Sequence, residues 1–281
     1  MISSRRVGTI AGIEVRLDWT LVLIAALLTF SLAGGLLPAS IPSLTGFGAV
    51  VLGLTGAVAF LGSILAHELG HSLVAEREGI RVKSVTLWLL GGLAELSEEP
   101  RSARSEFRIA AAGPAVSIGL ALVFGAAAFV LGPLHLAMGV LLGWLALVNG
   151  VLAVFNLLPA APLDGGRILR AVLWHINGDR WRSLVTSARL GQLLALVLGA
   201  TAVWQFLSGF GAGIWTALLA WFIWTAAASE RRHGQRQLRL QRIRDQAREQ
   251  SSGWWFGPVA PPAAAADNRS APQTIDLERL D

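Results

Sequence analysis

A chain of 281 residues that is 54% hydrophobic and only 15% charged, with a mean hydropathy of +0.58, has too little polar surface to dress a soluble globule of its size. Without cysteine it can form neither disulfides nor thiolate metal sites, so any metal has to be held by His, Asp or Glu. The formal charge of +5 is arginine charge, Lys83 being the one lysine, and its distribution along the chain points to a polytopic membrane protein rather than a nucleic-acid binder.

Six apolar runs of about 20 residues succeed one another, at 18–37, 46–72, 106–131, 136–158, 187–207 and 212–228. Residues 1–17 precede them as a cytoplasmic N-terminal segment, and the first run reads as a permanent anchor rather than a cleaved signal. The links at 38–47, 132–135 and 208–211 contain no Lys or Arg. By contrast, the N-terminus has Arg5, Arg6 and Arg16, the second connection has Arg77, Arg81, Lys83, Arg101 and Arg104, and the fourth has Arg167, Arg170, Arg180 and Arg182. The positive-inside bias then puts both termini and both charged connections in the cytoplasm of a multi-pass protein of a bacterial inner (plasma) membrane.

Between the second and third runs, VKSVTLWLLGGLAEL at 82–96 is broken by Gly91-Gly92 and too short to span, a pattern that predicts a membrane-associated β-hairpin. Its open edge is a candidate dock for an extended peptide. The expected fold class is therefore an all-α polytopic membrane protein, six transmembrane helices with this small β-hairpin between the second and third. Residues 18–228 make up the membrane domain, with its core at about 46–166, and residues 229–281 form a tail. The tail is arginine-rich and then Pro/Ala-rich (GPVAPPAAAADNRSAPQ), a composition of disorder. Leu240, Ile243 and Ala247 would share one face of a basic helix on anionic lipid, although an ordinary positive-inside tail fits equally well.

The second run ends in LAHELGHSLVAE, residues 65–76. On a helix, positions i and i+4 share a face, so His67 and His71 can offer two imidazole nitrogens to one ion. Glu68 projects about 100° away, near enough to take a proton from a metal-activated water without itself ligating, which is the mechanical content of H-E-x-x-H. Two histidines leave a catalytic zinc one protein ligand short. The alternative, histidines and glutamate satisfying one another in a helix bundle, leaves ionisable groups in a span without a function.

The fourth run ends in VFNLLPAAPLDGGR, residues 154–167. Pro159 and Pro162 cannot continue a helix and Gly165-Gly166 permit a close turn, so a bent segment presents Asp164. Asp164 either completes a His-His-carboxylate site or caps the helix that follows. Asn156 either donates its amide to a substrate carbonyl or oxyanion, or serves as a helix–helix hydrogen-bond partner. Both fragments lie toward the cytoplasmic ends of runs that cross in the same direction, so they can meet.

HELGH at 67–71, AGPAVS at 112–117 and NLLPAAPLDGGR at 156–167 together resemble the site-2 proteases, intramembrane zinc metalloproteases, over roughly residues 5–230. The resemblance implies one Zn2+ per chain bound by His67, His71 and Asp164, Glu68 as general base, and Asn156 near the substrate. It implies hydrolysis of a peptide bond in or near the transmembrane segment of a membrane-anchored signalling protein within the lipid bilayer, anti-sigma factors being a family-level expectation. The chain is most similar to the six-span branch whose members often carry CBS domains. About 50 residues follow Ser229, so CBS domains are not expected here, and the outside links are too short to hold a PDZ domain. That branch often has a histidine where Asp18 stands, and Asp18 reads first as a helix-start residue. Two other classes compete: a membrane metal-ion carrier using the same ligands, and an inactive scaffold that binds transmembrane helices.

Overall fold

The computed structural model describes residues 4–253 apart from 45, 90, 210 and 212. The Pro/Ala-rich stretch expected to be disordered, residue 90 of the hairpin turn and residue 212, where the sixth apolar run begins, lie outside the described residues.

The chain opens with two strands, Ser4–Ile10 (β1) and Ile13–Asp18 (β2), paired antiparallel. They turn at Ala11 and Gly12, whose φ values of 51° and 87° are both positive, as a type I′ hairpin turn requires. In β2, Ile13 and Val15 are buried while Glu14 and Arg16 are not, the period-2 pattern of a half-buried strand. Val82–Trp88 (β3) and Gly91–Leu96 (β4) form the expected hairpin, with Leu87 opposite Gly92 and Trp88 opposite Gly91. That hairpin does not stand alone. β3 pairs in parallel with β2, Val15 opposite Val85, and the sheet runs β1-β2-β3-β4. An all-α class with one hairpin is therefore corrected to a helical protein carrying a four-stranded mixed sheet. Charged Arg5, Arg6, Glu14 and Arg16 mask the alternation of the N-terminal strands, and a parallel partner cannot be read from local sequence.

The helices are Thr20–Ser31 (α1), continued by a π turn at Leu32–Leu36 into Leu37–Ser40 (α2), then Phe47–Arg77 (α3), Ala103–Leu131 (α4), Leu136–Asn156 (α5), Asp164–Asn177 (α6), Arg180–Leu207 (α7) and Gly213–Gly253 (α8). Among the described residues five helices are long and apolar enough to cross a membrane: Thr20–Ser40, α3, α4, α5 and α7. The sixth expected run forms the first part of α8, where a short apolar stretch gives way to Glu230, Arg231 and Arg232. Large side chains such as Phe30, Phe129 and Leu207 are 77–84% exposed on these helices, an arrangement suited to hydrocarbon and not to water. Asp18, buried at the end of β2, accepts hydrogen bonds from the Thr20 N–H and hydroxyl, the helix-start role expected of it.

The described residues fall into two units, one up to residue 238 and the other from residue 239. Within the first, Ile13, Val82 and Val85 of the sheet pack with Ala75 of α3 and Ile109 of α4, and Leu65, Leu69, Ala94 and Leu96 close around them. The sheet's apolar face is thus seated on the end of α3 that carries HELGH. In the second unit, residues 239–253 are helical, and Leu240, Ile243 and Ala247 are exposed there along with Arg239, Arg242, Arg244 and Arg248.

Candidate metal centre

α3 stays helical through residues 67–71, so His67 and His71 stand one turn apart with ring centroids 4.9 Å from each other, both buried. α5 ends at Asn156, the loop 157–163 turns the chain, and α6 begins at Asp164, also buried. Gly165 permits that turn: a Cβ there would lie 2.3 Å from the carbonyl oxygens of Leu157 and Leu158. The result is a triangle of three donor atoms. His67 Nε2 and His71 Nε2 are 3.2 Å apart, and Asp164 Oδ2 is 3.1 Å from each. Among the described residues this is the one group of three such side chains able to hold a metal ion.

The other ring nitrogens are tied to α4. His71 Nδ1 donates to the Ile109 carbonyl at 2.6 Å, and His67 Nδ1 lies 2.8 Å from the Ser117 hydroxyl. A carbonyl only accepts, so the His71 ring carries its proton on Nδ1 and turns the Nε2 lone pair toward the Asp164 oxygen. The Asp164 carboxylate oxygen faces the same point. Lone pairs and negative charge converging at 3.1–3.2 Å repel one another unless a cation sits among them. The spacing suits zinc: bonds of about 2.0 Å to a tetrahedral ion set donors about 3.3 Å apart. Two nitrogens and one carboxylate oxygen are also a donor set that zinc accepts.

Space for an ion is provided from α4. A Cβ on Gly113 would lie 2.1 Å from His71 Nε2 and 2.6 Å from His67 Nε2, so this glycine keeps clear the volume in front of the donor atoms. Gly113 and Ser117 share a helix face, one facing the cavity and the other bonded to a ring. The AGPAVS segment was visible in the sequence; the parts played by Gly113 and Ser117 within it and by the Ile109 carbonyl before it were not, and for Ile109 no sequence signal exists.

Glu68 projects from the same turn of α3 toward β4. The Gly92 backbone packs directly on it, since a Cβ on Gly92 would fall 2.2 Å from Glu68 Cγ. β4 is an edge strand of the sheet. The carboxylate thus packs against an edge strand of the sheet.

The Asp164 carboxylate is bonded to the histidines, and the first turn of α6 has no side-chain cap. Asn156, half-buried at the end of α5, makes no side-chain hydrogen bond to the triangle or to a neighbouring helix among the described residues. The helix-to-helix amide bond belongs instead to Asn149, fully buried two turns earlier, which donates to Ser63 of α3 at 3.2 Å. Among the described residues His135 and His175 join no ligand group, and His233 makes an edge contact with Trp181.

A sequence profile described as Peptidase family M50 matches residues 55–139 and 130–199. "Putative zinc metalloprotease Rip3" of Mycobacterium tuberculosis is 46% identical over 229 residues, covering 79% of this chain and 57% of that protein. "Putative zinc metalloprotease sll0528" of Synechocystis is 39% identical over 238 residues, 84% of this chain and 62% of that one. The chain therefore spans about three-fifths of the length of these curated relatives. Among solved structures, "Site-2 Protease from Methanocaldococcus jannaschii" superposes with a TM-score of 0.54 at 30% identity, covering 81% of this chain and 95% of that one.

Proposed function

The chain belongs to peptidase family M50, the family of the site-2 proteases, and from that premise we propose that it is an intramembrane zinc endopeptidase that cuts membrane-anchored proteins in or near their transmembrane segments. The observation that carries this reading is the convergence of His67 Nε2, His71 Nε2 and Asp164 Oδ2 on one point that Gly113 keeps clear, with Glu68 beside it. These three side chains would hold the ion. Zinc supplies there a Lewis acid that polarises a carbonyl and lowers the pKa of a nearby water.

The chain's own residues do the rest. Ile109 and Ser117 orient the two rings so that both Nε2 atoms face inward. Glu68 takes the proton of the attacking water and returns it to the leaving amine. Asn156, whose amide has no hydrogen-bond partner among the described residues, donates to the substrate carbonyl. Amides inside a helix are covered and already bonded, so a transmembrane target has to be unwound before it can be cut. The edge of β4 takes up the unwound segment by main-chain hydrogen bonds, and the contact of Gly92 with Glu68 brings that segment alongside the site.

The apolar first part of α8 serves as a sixth span, which leaves both termini on the arginine-rich, cytoplasmic side of the cell membrane. Single-span signalling proteins of the anti-sigma-factor kind are the substrate class. The test is co-expression of the wild type and Glu68→Gln, with membrane-protein fragments compared by mass spectrometry. Fragments that appear only with the wild type identify substrates; identical fragment sets would overturn the assignment.

A further inference from the structure

α7 contributes no donor to the triangle, yet it is bonded to the backbone on both sides of Asp164. Asp164 stands at a loop-to-helix junction, where a ligand is only as well located as the backbone on either side of it. Both sides are bonded to one residue. Three positions before Asp164, the Ala161 N–H donates to the Ser187 carbonyl at 3.3 Å. Two positions after it, the Gly166 carbonyl accepts from the Ser187 hydroxyl at 2.7 Å.

Hydroxyls inside apolar helices usually bond the carbonyl four residues back on their own helix. In α7 the Thr186 hydroxyl does so, donating to the Arg182 carbonyl, and the Ser183 hydroxyl donates to the Asp179 carbonyl at 2.7 Å, with Asn177 Oδ1 at the far end of α6 a longer second acceptor at 3.2 Å. Ser187, 1% exposed, instead reaches across to α6. One turn further along the same face, a Cβ on Gly191 would lie 1.9 Å from the Ala161 carbonyl oxygen, so α7 can come this close only where no side chain intervenes.

We infer that Ser187, its approach cleared by Gly191, is the positioning residue for Asp164: it brackets the backbone carrying the third metal donor and fixes how far the carboxylate stands from His67 and His71. The inference rests on the metal-site reading above. Groups that orient a ligand without touching the metal typically change affinity by about 10- to 100-fold when removed. Ser187 acts through backbone, and about tenfold is expected.

The test uses the full chain in detergent, reading zinc affinity by chelator competition and the visible absorption bands of the Co2+-substituted protein. Ser187→Ala should weaken zinc binding about tenfold and shift the Co2+ bands while the chain elutes as the wild type does. Ser183→Ala, one turn earlier and equally buried, should change neither reading. Gly191→Ala, which pushes α7 off the loop, should reproduce the Ser187→Ala spectrum. Wild-type affinity and spectrum in Ser187→Ala would overturn the positioning role. Asp164→Asn in the same assay separates the two levels: if it loses zinc while Ser187→Ala does not, the positioning role alone falls. If Asp164→Asn also keeps wild-type affinity, the metal-site reading falls and takes this inference with it.

Discussion

A Cβ on Gly113 would sit 2.1 Å from Nε2 of His71, so this glycine and this histidine, on different helices, share one small space. A methyl group added there competes with an ion for the same volume. Gly113→Ala should therefore cut the zinc content of the purified chain by at least about tenfold, since even outer groups change affinity on that scale. Elemental analysis against protein concentration is the check, and near-stoichiometric zinc in this variant would show that the glycine is not needed for room.

The Ser117 hydroxyl meets His67 Nδ1 at 2.8 Å and fixes the orientation of that ring. Ser117→Ala removes the bond and leaves the ligand in place. Zinc affinity measured by chelator competition should drop about 10- to 100-fold, with the elution profile unchanged.

Glu68 lies beside the donor triangle and is not part of it. Glu68→Gln should accordingly abolish cleavage of a reconstituted membrane substrate while zinc stays near one ion per chain. Loss of zinc with this change would make Glu68 a ligand, and surviving cleavage would remove its role as base.

Gly92 touches Glu68 from the edge strand. Gly92→Ala forces the carboxylate to shift, and turnover should fall while zinc content remains that of the wild type. Kinetics on a fluorogenic transmembrane peptide, paired with metal analysis of the same preparation, distinguish this from a metal defect.

Glu106 of α4 is completely buried and pairs with Arg170 of α6, tying together the two helices that carry His71's carbonyl partner and Asp164. Burial draws the Arg170 guanidinium below its usual value, and among the described residues Glu106 Oε2 and Arg170 Nε have no hydrogen-bond partner. Removing one member strands the other: Arg170→Met should destabilise the protein by about 3–5 kcal/mol. The double variant Glu106→Leu with Arg170→Met should regain most of that stability, because a buried pair replaced by apolar groups is often neutral. Thermal unfolding in detergent reads both.

The parts of the site legible in the sequence were those with a fixed local spacing. His67, Glu68 and His71 lie within one helical turn, and the Pro- and Gly-rich segment around Asp164 announced a bend ending in a carboxylate. Their meeting was legible only through the direction in which the apolar runs cross the membrane. What escaped is what depends on partners far away in the chain. The bond from His71 goes to a carbonyl, which any residue at position 109 would supply. Asn149 and Ser63 find each other across two apolar helices without any spacing to signal it. The β1–β2 hairpin was hidden because its parallel partner β3 lies beyond two whole helices, and because Arg and Glu interrupt its apolar positions. Ser187 likewise bonds to Ala161 and Gly166, more than 20 residues before it, with no spacing to signal it.

The sheet also bears on how the protein should be handled. β1 is bonded to β2, β2 to β3, β3 to β4, and Gly92 of β4 rests on Glu68. An affinity tag or reporter fused just ahead of Ser4 would hang from the first member of that series, and a bulky or highly charged one could pull on the strand that lines the reacting groups. A loss of activity in such a fusion would then be a mechanical artefact transmitted through four strands, and assays are better built on chains whose residues 4–18 are left unburdened.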